Sequence, residues 1–192
     1  MDPAGDGSGD ARYEVKGIWF VSARDYVAQE LGGAALDAFI AAMPERHRDT
    51  LTDALHSSWY PEDALADMLA TIHEHLARGS DDAALDLLRN MSTFGVGRFF
   101  KLLLSLSSAG FAMRNVPTLW ARMRRGPAQV AVRIEPNAAS VQTRTFPYVA
   151  RPAYPIMIRA TLEAVCHATG ATGARAVLDE CGPDWADFRV TW

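Results

Sequence analysis

The chain has 192 residues, of which 49% are hydrophobic and 22% are charged, and its formal net charge at pH 7 is −4. This length and apolar fraction are typical of one globular domain with a buried core. The acidic balance argues against a sequence-independent nucleic-acid binder, and no apolar run approaches the roughly 18 residues that a membrane span requires. Two cysteines, Cys166 and Cys181, are too few for a disulfide scaffold.

The first twelve residues are rich in glycine and aspartate, so we expect residues 1–12 to form a disordered tail and residues 13–192 a single domain. No basic start followed by an apolar run resembles a secretory signal. We therefore expect a cytoplasmic protein whose thiols stay reduced.

The segment Tyr13–Val21 is rich in β-branched and aromatic residues and predicts a first strand. Ser22 is a suitable N-cap for a helix that runs to Leu31, and further helices are predicted over 34–43 and 45–55. The Trp59-Tyr60-Pro61 stretch is interpreted as a break before a helix.

The helix after this break has the clearest period in the chain, because its apolar residues form one stripe. These residues are Leu65, Met68, Leu69, Ile72 and Leu76. Gly79 should end it, and Asp81 or Asp82 should cap the next helix. From residue 83 to 106 the pattern loses its polar face, which predicts a central helix surrounded by other elements.

A further helix is predicted over 109–125, with Pro117 kinking or restarting it. Three arginines, Arg122, Arg124 and Arg125, stand at its predicted end. We interpret them as cations that complement the helix dipole and cap free carbonyls, and the alternative is an anion site.

After residue 127 the period changes from 3.6 to 2, which predicts strands at Val130–Ile134 and Val141–Phe146. A helix over Tyr154–Thr169 and a last hairpin formed by Arg175–Glu180 and Asp187–Trp192 complete the chain. The predicted class is α+β: a helical N-terminal half packed on a small, mostly antiparallel sheet, with a long helix before the C-terminal hairpin.

No set of residues predicts catalysis or metal binding. His73 and His75 share a helix, but a spacing of two places them about 200° apart on its surface, too far to hold one ion. No nucleophile motif or phosphate loop is complete. We therefore expect no enzymatic activity, no catalytic residues and no metal site.

The aromatic and methionine side chains permit two interpretations. In the simpler interpretation they all belong to the core. In the functional one, six of them line an apolar ligand pocket, as such pockets are mostly hydrophobic. These six are Trp59, Tyr60, Phe99, Phe100, Met113 and Trp120.

Several stretches together resemble a myxobacterial paralogous family of unknown function. They are Val15–Phe20, Trp59–Pro61, Leu119-Trp120 and the final Phe188–Trp192. The resemblance implies a fold shared with haem-nitric-oxide-binding domains, 4-vinyl-reductase domains and the Bet-type subunits of the TRAPP trafficking complex. In that fold, helices and a curved sheet enclose an apolar cavity.

The resemblance also bears on cofactors. The haem branch uses a helical histidine ligand and a Tyr-x-Ser-x-Arg pattern that holds the propionates, and this pattern does not occur in the sequence. We therefore expect no cofactor and regard haem as unlikely.

Two functions remain open. The leading hypothesis is a non-enzymatic sensory or regulatory domain that binds a small apolar ligand in a helix–sheet cavity. The alternative is a protein-interaction scaffold, like the TRAPP subunits, with a core filled by side chains. It would form a homodimer or a complex with another protein.

Overall fold

The computed structural model describes the backbone of residues 13–99 and 107–192 and the side chains of residues 13–95 and 107–192. The predicted tail, residues 1–12, lies outside this part of the chain. So do residues 100–106 of the predicted central helix.

The helices occupy most of the N-terminal half. They are α1 (Ile18–Tyr26, continued by a π-helical turn Val27–Leu31), α2 (Gly33–Ala42), α3 (Glu45–Asp53), α4 (Glu62–Thr71, continued by a π-helical turn Ile72–Leu76), α5 (Asp81–Phe99), α6 (Ala109–Arg114), α7 (Val116–Met123) and α8 (Ala153–His167), with a 3-10 turn at Pro147–Ala150. No helix in the described ranges is both long enough and apolar enough to cross a membrane.

Two antiparallel sheets complete the fold. In the smaller one, β1 (Glu14–Lys16) lies between β2 (Trp59–Pro61) and β3 (Arg124–Arg125). The larger one has the order β4-β5-β7-β6. Its strands are β4 (Gln129–Glu135), β5 (Ala138–Arg144), β6 (Arg175–Cys181) and β7 (Ala186–Thr191). The predicted α+β class is confirmed.

The larger sheet follows its period-2 pattern. On β5 and β7 alternate residues are buried, and Val141 is the register partner of both Val132 and Phe188. A turn at Pro136-Asn137, where Asn137 has a φ of 57°, connects β4 to β5. One face of this sheet therefore contributes to the core, as the alternation predicts.

Helix α8 is almost entirely buried, with twelve of its fifteen residues in the core. It packs against α5 and also contacts β6 and β7. Glu163, only 1% exposed, ties these elements together: it accepts hydrogen bonds from Arg89 of α5 (2.7 Å) and from the Ala176 amide of β6 (2.9 Å). Over its described length α5 buries one face, and the most apolar part of the predicted central helix lies outside the described residues.

The largest departure from the sequence analysis is at the N-terminus. The predicted strand Tyr13–Val21 is wrong beyond Lys16, because the chain turns at Gly17 and α1 begins at Ile18. The Gly17 amide donates to the Ser58 carbonyl at 2.9 Å. Once helical, Phe20, Ala23 and Val27 fall on one buried face, so their burial outweighs their β propensity.

Three smaller expectations also need correction. The Trp59–Pro61 stretch is strand β2 rather than a break, because it pairs with β1. The cap of α5 comes from Ser80, whose hydroxyl accepts from the Ala83 amide at 3.3 Å, rather than from Asp81 or Asp82. The predicted helix over 109–125 is restarted at Pro117 as expected, giving α6 and α7, but it ends at Met123 rather than at residue 125.

Replacing Gly17 by alanine should destabilise the fold. A Cβ atom there would lie 2.2 Å from the Leu55 carbonyl oxygen and 2.7 Å from the Tyr60 ring, so backbone would have to move. We expect a loss of roughly 1–3 kcal/mol in the free energy of unfolding, measured by urea denaturation. Gly173→Ala is the matched control, because its Cβ would meet nothing within 4 Å. Equal losses in both variants would contradict the assigned close approach.

The two cysteines should differ sharply in reactivity. Cys166 on α8 is buried, whereas Cys181 is exposed. Burial first, and the Glu163 charge second, raise the pKa of Cys166 to about 12, so it stays a protonated thiol. Iodoacetamide at pH 8 should add one label per native chain and two per unfolded chain, counted by intact mass. In Cys181→Ser the native chain should stay unlabelled, and a labelled native variant would show that Cys166 is accessible.

Candidate functional site

A cavity of about 340 Å³ lies where the helices meet the larger sheet. Its wall includes residues from α1, α4, α5, α6, α7 and α8 and from strands β4 and β5. Its volume is at the lower end of the range of about 300–1,000 Å³ found for small-molecule sites.

The wall is predominantly apolar. Its larger aliphatic, aromatic and sulfur-containing members are Ile18, Trp19, Met68, Leu69, Ile72, Leu88, Met91, Phe111, Val116, Leu119, Trp120, Met123, Val130, Val141, Met157, Ile158, Leu162 and Val165. The polar residues of the wall are mostly serines and threonines, and three of them have partners: the Ser92 hydroxyl lies 3.4 Å from that of Thr161, and Thr143 bonds to Ala186.

Among the described residues of the wall, the charged side chains are two arginines, Arg122 and Arg124. Arg122 is exposed, but Arg124 is only 7% exposed. Its Nε donates to Oε1 of Glu62, which is fully buried, at 3.1 Å. The interpretation of all three arginines as helix-end cations is therefore wrong for Arg124, because β3 pairs with β1 and carries this side chain into the core.

Glu62 also accepts a hydrogen bond from the Tyr154 hydroxyl of α8. Burial first, and the Glu62 carboxylate second, raise the pKa of Tyr154 well above its usual value, so this hydroxyl remains a donor. Glu62 is the first residue of α4, where the helix dipole favours a negative charge. The three side chains thus form one buried polar network behind the cavity wall.

Two tryptophans flank the guanidinium of Arg124. Its Cζ lies 4.3 Å from the ring centre of Trp120 and 5.3 Å from that of Trp19, and both indoles belong to the wall. Cation–π attraction therefore stabilises the arginine in this position. Phe146 supports Trp120 from behind, with ring centres 5.2 Å apart and nearly perpendicular planes.

Of the six pocket residues predicted from the sequence, the structure places Trp120 in the wall. Met113 is fully buried in the core but is not part of the described wall. Phe100 and the side chain of Phe99 lie outside the described residues. Contact of these residues with a ligand stays a prediction.

Trp59 and Tyr60 lie away from the described wall, because β2 pairs with β1. The Trp59 ring has Lys16 Nζ and the Arg125 guanidinium each 4.0 Å from its centre. The Tyr60 hydroxyl accepts from the Leu55 amide at 3.0 Å. These contacts give both residues a structural role.

The sequence analysis missed Trp19, because it assigned this residue to a strand. It noticed Arg124 only as one of three arginines with an anion site as the alternative. The signal that distinguishes Arg124 from its neighbours is its pairing with Glu62, which lies 62 residues away in the chain.

Several solved structures share this arrangement of helices and sheets. An Fe(II) unliganded H-NOX protein from K. algicida matches with a TM-score of 0.61 at 12% identity, covering 92% of this chain and 95% of that one. An H-NOX protein from S. oneidensis in the Fe(II)NO ligation state matches with a TM-score of 0.58 at 15% identity, covering 91% and 97%. The protein has the H-NOX fold.

A third structure, from work on haem redox potential and porphyrin distortion, has a TM-score of 0.61 at 10% identity and covers 92% of this chain and 99% of that one. No family model matches the chain, and no curated protein matches its sequence. The implied relation in fold to haem-nitric-oxide-binding domains is thus confirmed.

The expectation that haem is unlikely was wrong, because the structural neighbours are haem-binding H-NOX domains. It treated one sequence pattern as a requirement for haem, whereas the overall fold matches those domains without that pattern.

The wall offers a restricted set of iron ligands. Proteins hold haem iron through histidine, cysteine, methionine or tyrosine. Among the described wall residues the side chains of these types are Met68, Met91, Met123 and Met157. The histidines lie elsewhere; His47, for example, lies 2.9 Å from Asp67, and His73 lies 2.8 Å from Asp81.

Proposed function

We propose that this protein is a non-enzymatic sensory or regulatory domain that binds a small, mainly apolar ligand in the helix–sheet cavity. The observation that carries the proposal is the apolar wall around a space of about 340 Å³ within an H-NOX fold. A space of this size leaves apolar side chains without packing partners, so a ligand that fills it gains their burial.

The chemistry of the wall supports a binding role over a catalytic one. Its described residues include no aspartate, glutamate, histidine, cysteine or lysine, which supply most general acids, bases and nucleophiles. The cavity also favours this hypothesis over a scaffold with a filled core. A homodimer or protein partner, a cytoplasmic location and membership of the myxobacterial family stay predictions from the sequence.

Haem is the first ligand to test, since the S. oneidensis neighbour is described with NO on its iron. In this chain a methionine sulfur of the wall would hold the iron, and the exposed Arg122 would pair with the acidic groups. A bound haem would supply a binding site for a diatomic gas. The protein's own part would be to exclude water and to orient the group.

The proposal is tested by native and denaturing mass spectrometry of the purified protein, with an absorbance spectrum of the same sample. We expect an extra mass that is lost on denaturation. A Soret band would identify it as haem, and its absence would indicate a ligand without a tetrapyrrole. A ligand at 100 times its dissociation constant should add about 2.7 kcal/mol to the free energy of unfolding.

A variant that fills the cavity tests whether the ligand binds there. Ala112 is buried in the wall, so Ala112→Leu should remove most of the bound mass, whereas the same change at the exposed Ala121 should not. The absence of any bound mass, together with no thermal shift on adding haem or medium-chain acids and alcohols, would contradict the proposed function. Equal loss in both variants would contradict the location.

A further inference from the structure

The two edges of the larger sheet differ in how their backbone groups are bonded. At the β6 edge, the Ala176 amide donates to Oε1 of Glu163 at 2.9 Å, and the Ala176 carbonyl accepts from Nε of Arg159 at 3.0 Å. The pairing of β6 with β7 is also interrupted by a register shift between Leu178 and Glu180. Side chains of α8 and an irregular register therefore protect this edge from pairing with another strand.

The β4 edge lacks this protection in the described part of the chain. Hydrogen bonds alternate between the two sides of a strand. Because the Asn137 carbonyl accepts from the Trp192 amide at 3.0 Å, the odd-numbered residues of β5 bond to β7 and its even-numbered residues bond to β4. The remaining amides and carbonyls of β4 point away from the sheet, and no described residue bonds to them; they belong to Val130, Val132 and Ile134.

The side chains of β4 are also incompletely covered. None of its seven residues is buried, whereas the neighbouring β5 buries alternate residues. On the core face, Val130, Val132 and Ile134 pack against the core but stay partly exposed. The strand contains no proline, and its pairing with β5 has no register shift. It therefore has the geometry of an edge that can accept a further antiparallel strand.

We propose that β4 is a homodimer interface, at which two copies pair antiparallel about Val132 and join their sheets. In this register Val132 lies against Val132 and Val130 against Ile134 of the other copy, so the exposed part of all three apolar side chains is covered. The three outward-pointing residues then exchange their backbone hydrogen bonds with their counterparts. The interface does not involve the cavity and goes beyond the proposed function.

The outer face of β4 is compatible with the same register. Arg133 of each copy lies opposite Ala131 of the other, and Glu135 lies opposite Gln129, whose amide can donate to the carboxylate. No charge meets a like charge directly across the pair. A register centred on Arg133 would instead place two arginines opposite each other, which is unfavourable.

The first test measures association of the unaltered chain by analytical ultracentrifugation from about 1 to 300 µM, because an interface of one strand is small and we expect a micromolar dissociation constant. Val132→Pro removes an outward-pointing donor but no bond to β5, as proline is tolerated at such edge positions. It should weaken the dimer by at least about tenfold. Circular dichroism checks that the variant is folded.

The second test uses the sign of a charge and does not depend on proline. Ala131 is exposed, so Ala131→Arg should leave the fold intact but place an arginine opposite Arg133 twice, because the dimer is symmetric. We expect it to weaken the dimer by about threefold or more, and Ala131→Glu to tighten it by a similar factor. Adding Arg133→Glu to Ala131→Arg exchanges the two positions and should restore the dimer.

Val177→Arg and Val177→Glu are the matched controls, since Val177 is 54% exposed on the protected β6 edge and the net charge changes by the same amounts. They should leave the dissociation constant unchanged. A chain that stays monomeric over the whole concentration range would overturn the proposal. So would a dimer that ignores the sign of the charge at position 131 or responds equally at position 177.

Discussion

Replacing Arg124 by methionine should lower the free energy of unfolding by about 3–5 kcal/mol, the usual cost of removing one partner of a buried ion pair. Methionine keeps much of the volume between Trp19 and Trp120 but leaves the Glu62 carboxylate without its cationic partner. Urea denaturation monitored by circular dichroism measures the change.

The double variant Glu62→Gln with Arg124→Met isolates the cause of this loss. A neutral glutamine can still accept from the Tyr154 hydroxyl, and no buried charge remains uncompensated. We expect the double variant to be more stable than Arg124→Met alone by at least about 2 kcal/mol, because replacing both partners of a buried pair is often close to neutral. Additive losses in the two single variants would show that the pair is not coupled.

Replacing Phe146 by alanine should cost about 3–5 kcal/mol of unfolding free energy, the typical range for a fully buried phenylalanine. Phe146 is 0% exposed, and its ring centre lies 5.2–5.9 Å from those of Trp120, Tyr148, Tyr154 and Tyr13. The variant would leave a void behind Trp120 and loosen the cavity wall.

Phe111→Ala provides the matched control, because the same atoms are removed from a side chain that is 53% exposed. We expect its effect on stability to stay within about 0.5 kcal/mol, as for most surface substitutions. The difference between the two variants therefore measures packing around Phe146. A small loss at Phe146 would mean that the aromatic cluster collapses into the void or does not pack as described.

The sequence predicts some elements of the structure correctly and others wrongly. The stripe from Leu65 to Leu76 predicts α4 with its π-helical continuation, and the alternation on either side of Pro136-Asn137 predicts the β4–β5 hairpin, because helix periods and turns are local properties. Tyr13–Val21 was assigned wrongly because an apolar run of this length suits either a strand or a buried helix, and the close approach of Gly17 to Leu55 decides between them.

The sequence by itself determined the α+β class, the order of most elements and the supply of apolar side chains for a cavity or a core. Only the tertiary structure decided that a cavity exists and which residues form its wall. The physical reason is that the wall is assembled from segments far apart in the chain. The buried pair beside it is an example, because Arg124 and Glu62 are 62 residues apart, and Glu62 and Tyr154 are 92 apart. No local pattern distinguishes Arg124 from the exposed arginines on either side of it, yet the fold buries it against Glu62 and beside Trp19 and Trp120.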